Sequence, residues 1–247
     1  MNEVIKQIKG RKSVRVFEDK PIATELREEI LGAAMEAPTA GAMMLYSILN
    51  ITEQERKEQL AVLCDNQPFI AKAPMVLIFL ADYQRWYDAF YYADCNPRKP
   101  GEGDILLACA DAIIAAQNTV VAAQSFGIGS CYIGDIIEHC EMVRELFGLP
   151  DYVLPAAMVV YGYPVESQKE RKKPVRFEQG YIVFDNSYRR LTREEHERMQ
   201  QIRHEKAGLP DKDMTEYLRA FCNRKYMTAF CREMNRSATE YLNKFRS

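Results

Sequence analysis

The chain has 247 residues and a mass of 28.5 kDa, enough for one large domain with an appendage and for a core that needs no disulfide staples. Apolar residues make up 47% and charged residues 28%, the balance of a globular protein and not of a disordered one. The net charge of −2 leaves no overall basic excess to drive nucleic-acid binding. The opening residues, MNEVIKQIKGRKS, are charged from the third position and lack the apolar core of a signal peptide. Cysteines at 64, 95, 109, 131, 140, 222 and 231 form no CxxC pair, which fits free thiols in a reducing cytoplasm.

Residues 22–37 place Leu26, Ile30, Ala33, Ala34 and Ala37 at helical spacing, with Thr24 as the expected cap. Leu45–Thr52 reads as a strand. Pro74–Ala81 is a continuous apolar run of strand length, hence a central strand buried on both faces. From about Asp104 to Phe126 the chain reads as a buried helix. Asp111, Gln117, Asn118 and Gln124 make it too polar for a membrane span. Ser130–Ile133 is too short to assign alone. Val143–Phe147 ends a helix that Gly148 stops. Leu154–Gly162 is a second buried strand, Gly180–Phe184 a third and shorter one, and 187–206 a charged helix. In the tail, 213–247, Phe230, Met234, Ala238, Tyr241 and Phe245 form one apolar stripe. That stripe must pack, either on its own core or on a partner subunit. Strands separated by helices point to an α+β or α/β sheet covered by helices.

The familiar catalytic motifs are missing. There is no GxxxxGK[ST], no HExxH and no GxSxG, and Gly127–Gly134 fails the GxGxxG spacing. His139, His196 and His204 are scattered, so no metal site is expected. Cys140 beside His139 is a neighbour in sequence and not across a helix face. No side chain stands out as acid, base or nucleophile, as expected when a cofactor carries the chemistry. Four segments remain. Arg11-Lys12-Ser13-Val14-Arg15 is either a phosphate cradle or a solvated basic turn. Ala37-Pro38-Thr39-Ala40-Gly41-Ala42 is a tight small-residue turn, open to a planar ligand or simply a connection. Gly127–Gly134 is a glycine-rich stretch that could offer backbone N–H donors or merely cap a helix. Arg171–Arg176 is a second basic cluster, able to meet the same phosphate or to remain solvated.

In this order these segments resemble the FMN-dependent nitroreductase family, and most closely its NAD(P)H-dependent flavin and nitro reductase branch. RKSVR resembles the family's Arg-x-Ser-x-Arg opening, and APTAG its Ala-Pro-small-small loop. Asn66-Gln67-Pro68-Phe69 resembles the branch's Gln-containing ring contact, Gly127–Gly134 its flavin loop, and Lys172-Lys173-Pro174-Val175-Arg176 its Lys-Pro-Arg clamp. The likeness spans about residues 1–190. It implies an α+β sheet flanked by helices; the tail's own pattern adds a C-terminal helical extension, dividing the chain into a domain over 1–206 and an arm over 207–247 that lies outside the likeness. It also implies a cytoplasmic homodimer with FMN at the interface, NAD(P)H as co-substrate, small-molecule acceptors, and neither nucleic acid nor membrane as partner. Arg11, Lys12, Ser13, Arg15, Lys173 and Arg176 would hold the phosphate and ribityl groups. Gln67, Tyr132, Ile133 and Gly134 would face the ring, and Pro38, Thr39, Ala40 and Gly41 would come from the other subunit. Phe69 would form the wall on which acceptors stack. Hydride passes from NAD(P)H to nitroaromatics, quinones or flavins by a ping-pong scheme in this reading. A different flavin reaction, such as reductive dehalogenation, or flavin binding without catalysis, are the alternatives. Two departures mark this chain: Ala42 stands where members often carry Asn, and Val175 lengthens the clamp.

Overall fold

The structure is a computed structural model that describes residues 2–209 and 213–246. Residues 210–212 and 247, part of the expected arm, lie outside the described residues. Helix α1 (Glu3–Gly10) is capped by the Asn2 side chain, which accepts the Ile5 N–H at 3.0 Å. Helix α2 (Thr24–Met35) starts at the expected place, but Thr24 is its first helical residue and Ala23 the cap. Then follow β1 (Tyr46–Ile51), α3 (Gln54–Leu63), α4 (Phe69–Lys72), β2 (Met75–Asp82) and α5 (Gln84–Tyr92). Helix α6 (Glu102–Ser125) opens on Asp104, whose carboxylate accepts the Gly101 N–H at 2.7 Å. It leads to β3 (Gly129–Ile133), α7 (Cys140–Phe147), β4 (Val153–Gly162) and α8 (Glu166–Glu170). Gly148 ends α7 in the left-handed conformation at φ 61, as its sequence position suggested. Helices α9 (Arg193–Ala207), α10 (Met214–Lys225) and α11 (Ala229–Asn243) complete the chain.

Among the described residues, four strands make one antiparallel sheet in the order β1-β2-β4-β3. Every residue of β2 is buried, because helices cover both sheet faces. Val76, Ile78 and Val160 pack with Leu60, Ile70 and Val143 of α3, α4 and α7. The alternate residues Met75, Leu77, Phe79, Val159 and Tyr161 pack with Ile30 and Ala34 of α2 and the alanines of α6. Small side chains at 108, 112, 115, 116 and 123 let α6 lie close to the sheet. Thr119 and Tyr161 satisfy each other's hydroxyls there at 2.6 Å. Only that face of α6 is buried. Leu106, Leu107, Ile113 and Ile114 on the other face are exposed, which corrects the expectation of a helix buried all round.

Two other expectations are corrected. Gly180–Phe184 is not a strand: Gln179–Tyr181 forms a single 3-10 turn, and Ile182 and Val183 stay exposed, so the run buries no apolar face. Residues 187–192 are irregular, and α9 begins only after Thr192, whose hydroxyl and Glu195 form a capping box. The tail's stripe ends on its own chain. Tyr241 and Phe245 are each 2% exposed and pack with Ile105, Ala108, Cys140, Tyr152 and Leu154. The chain forms two compact units, Met1–Arg171 with Arg232–Ser247, and Lys172–Cys231. The sequence boundary at 206/207 falls inside the second unit, and most of α11 belongs to the first.

Candidate active site

Past α1 the basic segment runs extended beside β3. The Val14 N–H donates to the Ser130 carbonyl at 2.9 Å, and Ser13 bridges Ser130 in parallel. This approach requires glycine: a Cβ on Gly129 would lie 2.5 Å from Val14 Cγ2. The first and third of the four segments are therefore neighbours. The Gly-rich segment is itself mostly strand, not loop. The Arg11 guanidinium sits 5.8 Å from the Tyr132 ring centroid. Its Nε is buried and has no hydrogen-bond partner among the described residues. Burial pushes the Tyr132 phenol up to about 12, and its hydroxyl donates to Gln117 Oε1 of α6 at 3.3 Å. The Lys12 ammonium donates to the Lys169 carbonyl at 2.6 Å and to that of Arg171. The Arg171 guanidinium in turn donates to the Ser13 carbonyl. Arg171, the first residue of the second basic cluster, thus meets the first cluster. A cavity of about 250 Å3 opens between Lys12, Gln124, Gly127 and Gln168. Arg15 is exposed, and its guanidinium lies 6.0 Å from the Phe69 ring centroid.

Gln67 reaches the same region through a left-handed turn. Asp65 and Asn66 have φ of 59 and 52, a conformation that non-glycine residues adopt only when it is held in place. The Gln67 N–H donates to the Ala61 carbonyl at 2.8 Å. Its side-chain amide donates to the Cys64 carbonyl at 2.8 Å and to Asp135 Oδ2 at 2.7 Å. Asp135 opens the 3-10 turn directly after Ile133 and Gly134. Glu138, three residues on, is 4% exposed, and its Oε1 has no partner among the described residues. Burial first, then the charges of Asp135, Asp65 and Glu233, push its carboxyl up to about 7.

Pro38, Thr39, Ala40 and Gly41 form a separate feature, tied to α5 and α6. Ala40–Ala42 is a 3-10 turn, and Gly41, Ala42 and Met44 have φ of 57, 58 and 50. Buried Asp111 of α6 accepts the N–H groups of Ala40 at 3.0 Å and Leu45 at 3.1 Å. Trp86 Nε1 of α5 donates to the Met43 carbonyl at 2.7 Å. Lys173, half-buried, and Arg176, exposed, lie on irregular chain in the second unit. The first unit thus gathers Arg11, Lys12, Ser13, Arg15, Gln67, Phe69, Tyr132, Ile133 and Gly134. The sequence did not single out Asp111, Asp135 or Glu138, the carboxylates that the fold brings beside these residues. Asp111 was noted only as polarity inside an apolar run, and nothing local distinguishes the other two.

The extended basic segment thus lies beside the sheet edge at β3, and the Gln67 turn is bonded to the turn that follows it. The sequence pattern of the nitroreductase family matches residues 8–163, and the chain belongs to that family. It is 32% identical over 190 residues to "FMN reductase (NADPH)" of Bacillus subtilis, covering 76% of this chain and 75% of that one. It is 32% identical over 192 residues to "Oxygen-insensitive NADPH nitroreductase" of Salmonella typhimurium, covering 77% of each. Among solved structures, nitroreductase A from Vibrio parahaemolyticus superposes with a TM-score of 0.80 at 28% identity, over 98% of this chain and 97% of that one. The NADPH:FMN oxidoreductase from Vibrio harveyi, complexed with NAD+, gives 0.76 at 27% identity over 99% and 98%.

Proposed function

We propose that the protein is an FMN-dependent oxidoreductase that reduces nitroaromatic, quinone or flavin acceptors at the expense of NAD(P)H, and that it works as a cytoplasmic homodimer. The observation that carries this reading is the meeting of the basic strand, Gln67 and the β3 turn along one edge of the sheet. The residues fit FMN. The buried Arg11 Nε lacks an acceptor, which an anionic phosphate or a ribityl oxygen supplies. Gly134 is exposed, and a Cβ there would meet nothing within 4 Å, so its backbone is open to a flat ring. FMN, when bound, supplies the two-electron chemistry between NAD(P)H and the acceptor.

The chain's own residues bind and orient. Arg11, Lys12, Ser13 and Arg15 hold the phosphate and ribityl groups. Gln67, Tyr132, Ile133 and Gly134 face the ring, while Phe69 walls the space where flat molecules stack. Pro38, Thr39, Ala40 and Gly41 serve the site of the second subunit. The exposed apolar face of α6, with Leu106, Leu107, Ile113 and Ile114, supports self-association, since such a face left in water is an aggregation hazard. The free thiols of Cys64, Cys95, Cys109, Cys131, Cys140 and Cys222 support a reducing compartment.

Heat release of the purified protein, followed by chromatography of the supernatant, tests the reading. FMN at one per chain is the expected result; FAD or no flavin overturns it. One stacking space that serves donor and acceptor in turn gives ping-pong kinetics. Parallel double-reciprocal lines are expected, and intersecting lines contradict the shared space.

A further inference from the structure

We infer that Asp135 is a positioning residue. It locks the Gln67 amide so that the oxygen Oε1, and not the nitrogen, is offered to the flavin ring. The inference rests on the reading of Gln67 as a ring contact. A primary amide has two N–H donors. The Cys64 carbonyl takes one at 2.8 Å and Asp135 Oδ2 takes the other at 2.7 Å. Both partners are acceptors only. Flipping the amide would set Oε1 against a carbonyl and a carboxylate, so the network admits one orientation. Oε1 is left without a hydrogen bond among the described residues, and it is an acceptor. It therefore suits an N–H group of the isoalloxazine and would repel a ring carbonyl.

Three further observations show that this orientation is built in. Gln67 follows two left-handed non-glycine residues, Asp65 and Asn66, a strained turn that persists only where surrounding bonds over-determine it. Its own N–H is tied to Ala61. Cys64 is fully buried, so one anchor belongs to the core. Asp135 is the second anchor, and it follows Gly134 directly on the β3 turn. The bond between them fastens the α3–α4 turn to the β3 turn, two segments that otherwise lie 68 residues apart. Because Asp135 bears a charge, it also polarises the amide and strengthens Oε1 as an acceptor.

The test uses the full chain with Asp135→Ala, Asp135→Asn and Gln67→Ala, each checked for folding by circular dichroism. In the flavin-free protein, the two side-chain N–H signals of Gln67, identified by their loss in Gln67→Ala, exchange slowly with solvent in the wild type and faster in Asp135→Ala. With FMN added, Asp135→Ala weakens binding by about tenfold, in line with one charged hydrogen bond, and shifts the visible absorption bands. Asp135→Asn keeps an acceptor at Oδ1 and restores both affinity and spectrum. Its reduction potential still lies above the wild type's, because the charge is gone. If Gln67→Ala changes affinity and spectrum but Asp135→Ala changes neither, Asp135 does not position the amide. Free exchange of the Gln67 protons in the wild type overturns the inference equally. If Gln67→Ala itself leaves affinity and spectrum unchanged, the ring contact is wrong and the inference falls with it.

Discussion

Glu138 shows how a single buried group ties the stability of the fold to pH. Its folded-state carboxyl titrates at about 7, well above an unfolded glutamate near 4.3. The folded chain therefore binds this proton more tightly than the unfolded one. The stability this contributes is fully present below about pH 4 and is lost as pH rises through about 7. Glu138→Gln keeps the neutral form at every pH. Its stability to urea should be nearest the wild type's at pH 4 and exceed it at pH 8, by up to about 3.5 kcal/mol in unfolding free energy. An equal difference at both pH values contradicts the assignment. Arg15 acts at the same scale. It is exposed, 6.0 Å from the Phe69 ring centroid, and in the proposed site it would face the ribityl and phosphate end. Arg15→Ala should weaken FMN binding by about 1–3 kcal/mol, read by titrating flavin-free protein. Unchanged affinity would reduce this residue to a solvated turn.

Among the elements, α11 is held by a small polar clasp. His139 enters α7 in the left-handed conformation at φ 52, which turns the first N–H groups of α7 toward α11. Glu233 accepts the His139 N–H at 3.2 Å. Ser237, fully buried, accepts the Cys140 N–H at 3.0 Å and donates to Glu233 Oε1 at 2.8 Å. Arg236 makes two bonds of 2.8 Å to Glu141, but it is 45% exposed. Solvent screens that pair, so Arg236→Ala should cost less than about 1 kcal/mol. Ser237→Ala leaves a buried N–H without its acceptor and should cost about 1–3 kcal/mol. Urea denaturation of the two variants decides the order, and a larger loss from Arg236→Ala would reverse this account.

For the whole molecule, the proposed dimer rests on the two faces of α6. One carries alanines against the sheet, and the other carries large apolar side chains outward. Leu106 is 70% exposed within the chain, so a charge there does not disturb the core of one subunit. Leu106→Asp should shift the light-scattering mass from dimer toward monomer and lower the FMN content with it, while the circular dichroism spectrum stays unchanged. A yellow dimer of undiminished flavin content would place the interface elsewhere. Of the two places the C-terminal stripe could pack, Tyr241 and Phe245 take the chain's own core, beside Tyr152.

The amino-acid sequence alone determined what depends on local pattern. Apolar runs at 74–81 and 154–162 became the central strands β2 and β4, because a strand covered on both faces must be apolar throughout. The order of the short motifs matched the family that residues 8–163 confirm. Tertiary structure decided the rest. Gly180–Phe184 had strand-like composition, but its apolar residues stay exposed and it turns instead. The roles of Asp111 and Asp135 depend on partners 66 to 71 residues away. Apolar periodicity is written into neighbouring residues, whereas a polar side chain takes its meaning from the donor or acceptor that packing brings to it. Only the folded chain shows which carboxylate faces which amide.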